Sequence, residues 1–333
     1  MLNPSHGGDI YTFSKSLGIK NRQVIDFSSN INQYSPNLTI DFNQLSISKY
    51  AELSYKKLKK KLATHYQSKA NQIALYNGAS VAIETFLRIL NRPVTLYAPA
   101  YGEYKRFAPK AQLINRFDDI YTPPRKNNLV IFVNPATPDG LSYDLETLFE
   151  IWERENNTIL IDESFLEFTK TASVIKRLKK NDKLYILKSL TKFYACAGVR
   201  VGIIISTPKN IQILTQNQPL WQVSTFDMHY ILEALKDIAF KKVVLKKIKR
   251  DKKRLLKLLK KSPFIAKIYP SDANFFLILL KGLDADTLQK RCNKERIMIR
   301  NCENFDFLDK QHVRLAVRRK KDVKKLAKVL LHA

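Results

Sequence analysis

Three cysteines in 333 residues are too few for a disulfide scaffold: Cys196, Cys292 and Cys302 are odd in number and lack metal-ligand spacing. Reduced thiols in a cytoplasm are the expectation. No apolar run approaches the roughly 20 residues that a membrane helix needs. The opening MLNPSHGGDIYTF has neither the basic nor the apolar region of a secretion signal. Glycine is scarce, with 9 residues, and acids number 30 against 58 Lys and Arg, a net charge of +28. Such a balance first points to nucleic acid or an acidic membrane. The chain is also rich in Ile, Asn, Tyr and Phe, however, which is the joint bias of AT-rich codon usage, and its basic excess is mostly Lys spread over helix faces. The run at 241–261, KKVVLKKIKRDKKRLLKLLKK, holds twelve basic residues and one acid, yet Val244, Leu245, Ile248, Leu255 and Leu259 keep near-helical spacing. That spacing predicts an amphipathic helix with a solvated basic face, no specific nucleic-acid partner and no membrane partner. A diffuse positive field still draws in small anions.

What the chain does contain is alternation. Short β-rich runs at 73–78, 93–99, 129–135, 158–164, 184–189 and 199–206 are mostly apolar throughout, which suits strands covered on both faces. Helical stretches such as Ser80–Leu90 and Leu145–Glu155 lie between them, so the pattern is an α/β domain with a mostly parallel sheet. After Phe226 come the long basic helix, short strands at 273–280, 296–300 and 313–318, and a closing helix, which predict a smaller α+β layer. The expected organisation is an N-terminal arm at 1–40 serving the small domain and the active site, a large domain at 41–235 and a small domain at 236–333, with the boundary falling within 225–245.

Ligands of such sheets gather at the carboxyl ends of the strands, and the polar residues sit at those ends. Asn77-Gly78-Ala79-Ser80 closes a strand and opens a helix, so its N–H groups suit a phosphate; glycine at such a turn also has a purely steric use. Asp162-Glu163 ends another strand, where a carboxylate more often caps the next helix. In LKSLTKFYACAGVRVG (187–202), Ser189, Thr191 and Arg200 surround Lys192 with two hydroxyls and a guanidinium suited to a phosphate dianion. A lysine so placed has reason for a lowered amine pKa, as a covalent-anchor lysine requires. Each item alone is ambiguous. In this order on one scaffold they point to pyridoxal phosphate.

The motifs NGAS (77–80), PAYGEY (99–104), NPATPDG (134–140), DESFLEF (162–168) and SLTKFYACAGVRVG (189–202) resemble the successive motifs of fold-type I pyridoxal-phosphate enzymes. More narrowly, they resemble the branch that holds histidinol-phosphate aminotransferases and threonine-phosphate decarboxylases. The ends of the chain follow the decarboxylases: HGGD (6–9), DFSSNIN (26–32), PLWQVS (219–224), IMIRNCENF (297–305) and VRLAVR (313–318). The resemblance covers nearly the whole chain. It implies a large domain with a mostly parallel seven-stranded sheet, a smaller α+β domain, pyridoxal 5'-phosphate as cofactor, a small phosphorylated amino acid as substrate and a homodimer.

Roles follow as what the resemblance implies. Lys192 anchors the cofactor and later moves the proton at the substrate's α-carbon. Asp162 faces the ring nitrogen, and Tyr101 stacks on the ring, although a core aromatic is the commoner fate of a tyrosine beside a strand. Gly78, Ala79, Ser80, Ser189, Thr191 and Arg200 hold the cofactor phosphate, with Tyr55 of YAELSY reaching it from a partner subunit. Arg314 takes the substrate carboxylate. Arg300 and His6, beside Gly7 and Gly8, take the substrate's own phosphate, and Asn30 is a further substrate-binding residue. Thr137 stands where the family's NNPTG has an asparagine contacting the cofactor's phenolic oxygen, Phe165 where aminotransferases have a tyrosine, and Gln33-Tyr34-Ser35 where the family has Pro-Leu-Gly. The expected reaction is decarboxylation of L-threonine O-3-phosphate to (R)-1-amino-2-propanol O-2-phosphate for the cobalamin linker, or of L-serine O-phosphate to ethanolamine phosphate. One methyl separates the two substrates, worth only ~1–3 kcal/mol of discrimination. The rivals are histidinol-phosphate transamination and a basic nucleic-acid-binding protein on an inactive enzyme fold.

Overall fold

Burial on both faces unites the strands of the central sheet. In the computed structural model, which describes residues 6–331 except 42 and 44, seven strands pair: β1 (Ile73–Asn77), β2 (Val94–Ala98), β3 (Gln112–Asn115), β4 (Leu129–Val133), β5 (Thr158–Asp162), β6 (Leu184–Ser189) and β7 (Val201–Ile205). Their order is β1-β7-β6-β5-β4-β2-β3, and β7 alone of the seven runs against its neighbours. Every residue of β2, β4, β5, β6 and β7 is buried. Leu58, Phe149 and Trp152 pack on one face of the sheet and Phe86, Tyr104 and Leu214 on the other, which is why these strands read as unbroken apolar runs. The edge strand β3 escapes sequence reading because only Ile114 of its four residues is fully buried.

The helices that matter for the site are α1 (Lys56–Tyr66), α2 (Gly78–Leu90), α3 (Gly102–Phe107), α4 (Glu146–Arg154) and α5 (Phe240–Leu259). The helix predicted at 145–155 is α4, and the basic run forms α5 as its periodicity predicts. Phe240, Val244 and Ile248 of α5 pack into the large core, whereas Leu255, Leu258 and Leu259 pack into the small one. The single acid of the run, Asp251, is buried. It accepts from Tyr34 Oη at 2.5 Å and from Arg254 Nη1 at 2.6 Å, so the carboxylate is not left uncompensated in the interior. Glu163 likewise serves the interior rather than a helix cap. It pairs with buried Lys188 and accepts from Ser173 Oγ (2.7 Å) and Val174 N (2.9 Å).

The smaller layer is a four-stranded antiparallel sheet, β8 (Ile265–Ile268), β9 (Phe275–Leu280), β10 (Arg300–Asn301) and β11 (His312–Ala316), in the order β10-β11-β9-β8. Ile25–Asp26 pairs in parallel with Ile297–Met298, and Phe27 is buried in the same core. The N-terminal segment is thus built into the small layer. Among the described residues no helix is long and apolar enough to cross a membrane, and all three cysteines are free and buried.

An ion-pair cluster ties α1 to α5. Glu167 lies 2.6 Å from Lys241 Nζ and 3.7 Å from His65 Nε2. Burial works against its ionisation, but His65 and Lys241 outweigh burial and hold the carboxyl at about 2, below its usual 4.5. A depressed carboxyl contributes stability that is complete above about 4.5 and lost as pH falls through about 2. Glu167→Gln is therefore expected to cost on the order of 2 kcal/mol at neutral pH and to flatten the acid limb of a melting-temperature profile over that window.

Candidate active site

Five strand ends and the N-terminal segment converge on one crevice. β1 delivers Gly78 to Ser80, β2 leads to Tyr101, β4 to Thr137, β5 ends at Asp162, and β6 ends at Ser189 just before the short helix Leu190–Phe193 that carries Lys192. Opposite them stand Arg300 on β10 and Arg314 on β11. A cavity of about 340 Å³ is lined by residues from all of these segments, Lys192, Asp162, Arg200, Arg300, Arg314 and His6 among them. A wider mouth of about 660 Å³, lined also by Glu103 and Arg106, adjoins it at His6, Tyr101, Arg300 and Phe305.

Lys192 Nζ donates to Ser189 Oγ at 3.2 Å and lies 5.2 Å from the centre of the Phe165 ring. Burial pushes its amine below the ordinary lysine value. Asp162 opposes that shift, and Arg200 and Arg314 add to it. Its turn is held from the N-terminal segment: Asn32 N donates to Lys192 O (3.0 Å) and Asn32 Nδ2 to Phe193 O (2.8 Å). Asp162 is buried at the end of β5, where Oδ2 accepts from Tyr104 Oη and Oδ1 from Ser164 N, both at 2.8 Å. A carboxylate has about four acceptor sites, so two donors orient it and leave capacity for a third.

The end of the cavity at Ser80, Ser189 and Arg200 is equally specific. Ser189 Oγ and Thr191 Oγ1 lie 3.1 Å apart, and Ser80 Oγ lies 3.2 Å from Tyr101 Oη. Gly78 has a φ of +83°, and a Cβ there would collide with the Arg200 guanidinium. Glycine at 78 therefore satisfies both the backbone and the arginine. Gly202 is needed for a similar reason, since its Cβ would stand 2.6 Å from Ala79 N. These features fit pyridoxal phosphate: a helix N-terminus with two hydroxyls and a guanidinium for the phosphate, an amine for the covalent link, and an oriented carboxylate for the ring nitrogen.

On the small layer's wall of the cavity, Arg314 Nη1 donates to Thr137 Oγ1 and Nη2 to Ser28 O, both at 3.1 Å. Its Nε, and the Oδ1 of Asn30, another residue of the cavity wall, are buried without a hydrogen-bond partner among the described residues. Burial pushes the Arg314 guanidinium down to about 10, which still leaves a cation at neutral pH. Arg300 Nη2 donates to Asn304 Oδ1 at 2.7 Å. Arg300 and Arg314 are direct cross-strand partners, and like charges so placed are destabilising. Two buried guanidinium groups side by side offer an anion charge-assisted donors from both.

His6 Nε2 lies 3.2 Å from Glu103 Oε1, and Glu103 also accepts from Arg106 Nη1 at 3.2 Å. Gly7 packs so closely on the Ser28 backbone that no side chain fits, and Gly8 N donates to Ser28 Oγ at 2.8 Å. Removing the Glu103 charge with Glu103→Gln is expected to loosen His6 and raise KM for a phosphorylated substrate about two- to five-fold, with kcat unchanged, as steady-state kinetics would measure.

Two sequence expectations take a different form. Tyr55 is buried within its own chain, where its hydroxyl donates to Val223 O (2.8 Å) and accepts from Val223 N (3.0 Å). It is not poised to reach out of the molecule. The tyrosine exposed on that segment is Tyr50, 80% accessible and stacked on Trp221 at 4.2 Å. Thr137 turns its oxygen to Arg314 rather than leaving it for the cofactor alone. Tyr104, Asn32, Asn274 and Glu103 enter the site without having been singled out from sequence; Asn274 Nδ2 donates to Asn30 O at 2.9 Å.

Known proteins place this geometry in context. The family model for class I and II aminotransferases matches residues 22–330. An adenosylcobalamin biosynthesis bifunctional protein of Leptospira interrogans is 31% identical over 97% of this chain, which spans only 40% of that longer protein. A threonine-phosphate decarboxylase of Salmonella typhimurium is 29% identical, covering 96% of this chain and 93% of its own. A histidinol-phosphate aminotransferase of Flavobacterium psychrophilum is 30% identical over 85% of this chain and 86% of its own. Among solved structures, the histidinol-phosphate aminotransferase of Clostridium acetobutylicum superposes with a TM-score of 0.80 at 29% identity, covering 92% of this chain and 98% of its own.

Proposed function

The chain belongs to the class I and II aminotransferase family and is a pyridoxal-phosphate enzyme, and from that premise we propose that it transaminates a small amine bearing a phosphate ester, of the histidinol-phosphate kind. The observation that carries the substrate class is the adjacent pair of buried arginines, Arg300 and Arg314, facing Lys192 across one cavity. Transamination is supported by the recurrence of histidinol-phosphate aminotransferases among the relatives and by the Clostridium structure. It replaces decarboxylation as the leading reading. Decarboxylation of L-threonine O-3-phosphate or L-serine O-phosphate remains the second, supported by the seating of His6-Gly7-Gly8 on Ser28, by Phe165 beneath Lys192 and by the Salmonella relative.

Bound pyridoxal phosphate supplies an electron sink for the bonds at a substrate's α-carbon. Ser80, Ser189, Thr191 and Arg200 would hold its phosphate, Asp162 its ring nitrogen and Lys192 its aldehyde carbon. The protein's own contribution is orientation. Arg314 binds a carboxylate, that of the keto acid in transamination, and Arg300 with His6 binds a phosphate, that of the phosphorylated amine, so each grip fixes how the α-carbon of its own ligand is turned. Lys192, kept toward its neutral form by burial and by Arg200 and Arg314, is the base that takes and returns the α-proton.

The test is to give the purified holoenzyme histidinol phosphate with 2-oxoglutarate and, separately, threonine phosphate with no keto acid. Glutamate formed only in the first mixture is the expected result. CO₂ released from the second would overturn transamination in favour of decarboxylation. The buried, unpaired thiols suit a reducing cytoplasm. We also assign the exposed Ile47, Tyr50, Leu53, Leu220 and Trp221 to the contact with a second copy, so light scattering is expected to read twice 38.6 kDa.

A further inference from the structure

Next to the cofactor pocket, but outside it, lies a buried ion pair with no obvious structural need. Arg116 follows β3 and Asp139 lies in the loop after β4; their side chains are each 2% exposed. The Arg116 guanidinium binds three stretches of chain at once. Nε donates to Pro99 O (3.2 Å), Nη1 to Asp139 Oδ2 (3.1 Å) and Tyr143 Oη (3.0 Å), and Nη2 to Asp139 Oδ1 and Thr137 O (3.3 Å). Pro99 stands two residues before Tyr101. Thr137 is the residue whose hydroxyl oxygen accepts from Arg314. Asp139 occupies the place of the threonine in NNPTG, so the pair accompanies the loss of the motif's asparagine at Thr137. Buried ion pairs often stabilise no better than apolar side chains of the same volume. What this pair provides in addition is a fixed position for the Thr137 backbone.

We propose that Arg116 and Asp139 are positioning residues for carboxylate recognition: they clamp the 137–139 loop so that Thr137 Oγ1 holds the Arg314 guanidinium in register for an incoming carboxylate. The inference rests on Arg314 being the carboxylate site. Neither residue of the pair lines the cavity, so both act through Thr137. The clamp leaves the phosphate grip of Arg300 and His6 untouched. Its loss should therefore weaken one end of the substrate and spare the other.

Two probes isolate the carboxylate: L-serine O-phosphate and ethanolamine phosphate, which differ in that group alone. Their dissociation constants would be measured by calorimetry on the holoenzyme and on four variants: Arg116→Lys, the paired replacement Arg116→Met with Asp139→Leu, Thr137→Val and Arg314→Leu. The paired replacement removes both charges together and keeps the interior filled. Arg116→Lys keeps the charge but not the fork, and Thr137→Val leaves the ion pair intact. The first three variants are expected to bind L-serine O-phosphate about 3- to 30-fold more weakly and ethanolamine phosphate as tightly as before. Combining Thr137→Val with the paired replacement should add little further loss. Equal weakening of both probes, or a lowered melting temperature with unchanged preference between them, would overturn the proposal. If Arg314→Leu itself left the preference unchanged, the carboxylate assignment would fail and the clamp with it. If Arg314→Leu erased the preference while the Arg116 variants kept it, the clamp alone would fail.

Discussion

Lys192→Ala is expected to yield folded protein that takes up pyridoxal phosphate only reversibly, loses the visible band of the bound cofactor and turns over ~10²–10⁴-fold more slowly. Folding survives because the Lys192 side chain makes, among the described residues, one hydrogen bond, to Ser189 Oγ, and because removing a desolvated amine relieves a cost. Turnover falls, because the next lysine along the chain toward the strand cannot substitute. Lys188, four residues back on β6, is buried and committed to Glu163. Borohydride treatment of the native holoenzyme followed by peptide mapping gives the matching positive result, a label on the peptide holding residues 189–202. A label on any other lysine would refute the assignment.

Arg314→Leu carries the second large effect. Truncating a buried charged partner typically costs 2–5 kcal/mol of binding, which is about a 30- to 5,000-fold loss of affinity for a carboxylate. The fold should not suffer, since the change removes one of two like charges directly opposed on β10 and β11. The same variant separates the two reactions. Histidinol phosphate has no α-carboxylate, so under transamination its half-reaction keeps its rate and only the keto-acid half-reaction collapses. Under decarboxylation the single substrate carries the carboxylate, and all turnover is lost. Half-reactions followed by stopped-flow absorbance read the difference directly.

The strands and α5 were legible in the sequence because one physical pattern, apolar burial on two faces or on one helical stripe, is written locally. The gathering of Lys192, Asp162, Ser189, Thr191 and Arg200 at one cavity was legible because all of them stand at or near strand ends, where such sheets place their ligands. The residues that orient them were not. Tyr104 reaches Asp162 across 58 positions of sequence, and Asn274 reaches Asn30 across 244. A lone tyrosine or asparagine carries no local mark of such a partner. Tyr55 shows the opposite failure. YAELSY offers two tyrosines, and only the packing of α1 against the segment holding Val223 decides that Tyr55 turns inward while Tyr50 faces out. The departure at Asp139 was visible in the quoted motif, but its meaning required Arg116, twenty-three residues away.

Helix α5 contributes its first turns to one hydrophobic core and its last turns to the other. A rod anchored at both ends cannot be released by one core without withdrawing side chains from its neighbour. This packing couples the two layers: the amides at mid-helix around Asp251 are expected to exchange with solvent mainly through opening of the whole molecule, and calorimetry is expected to show one melting transition rather than two.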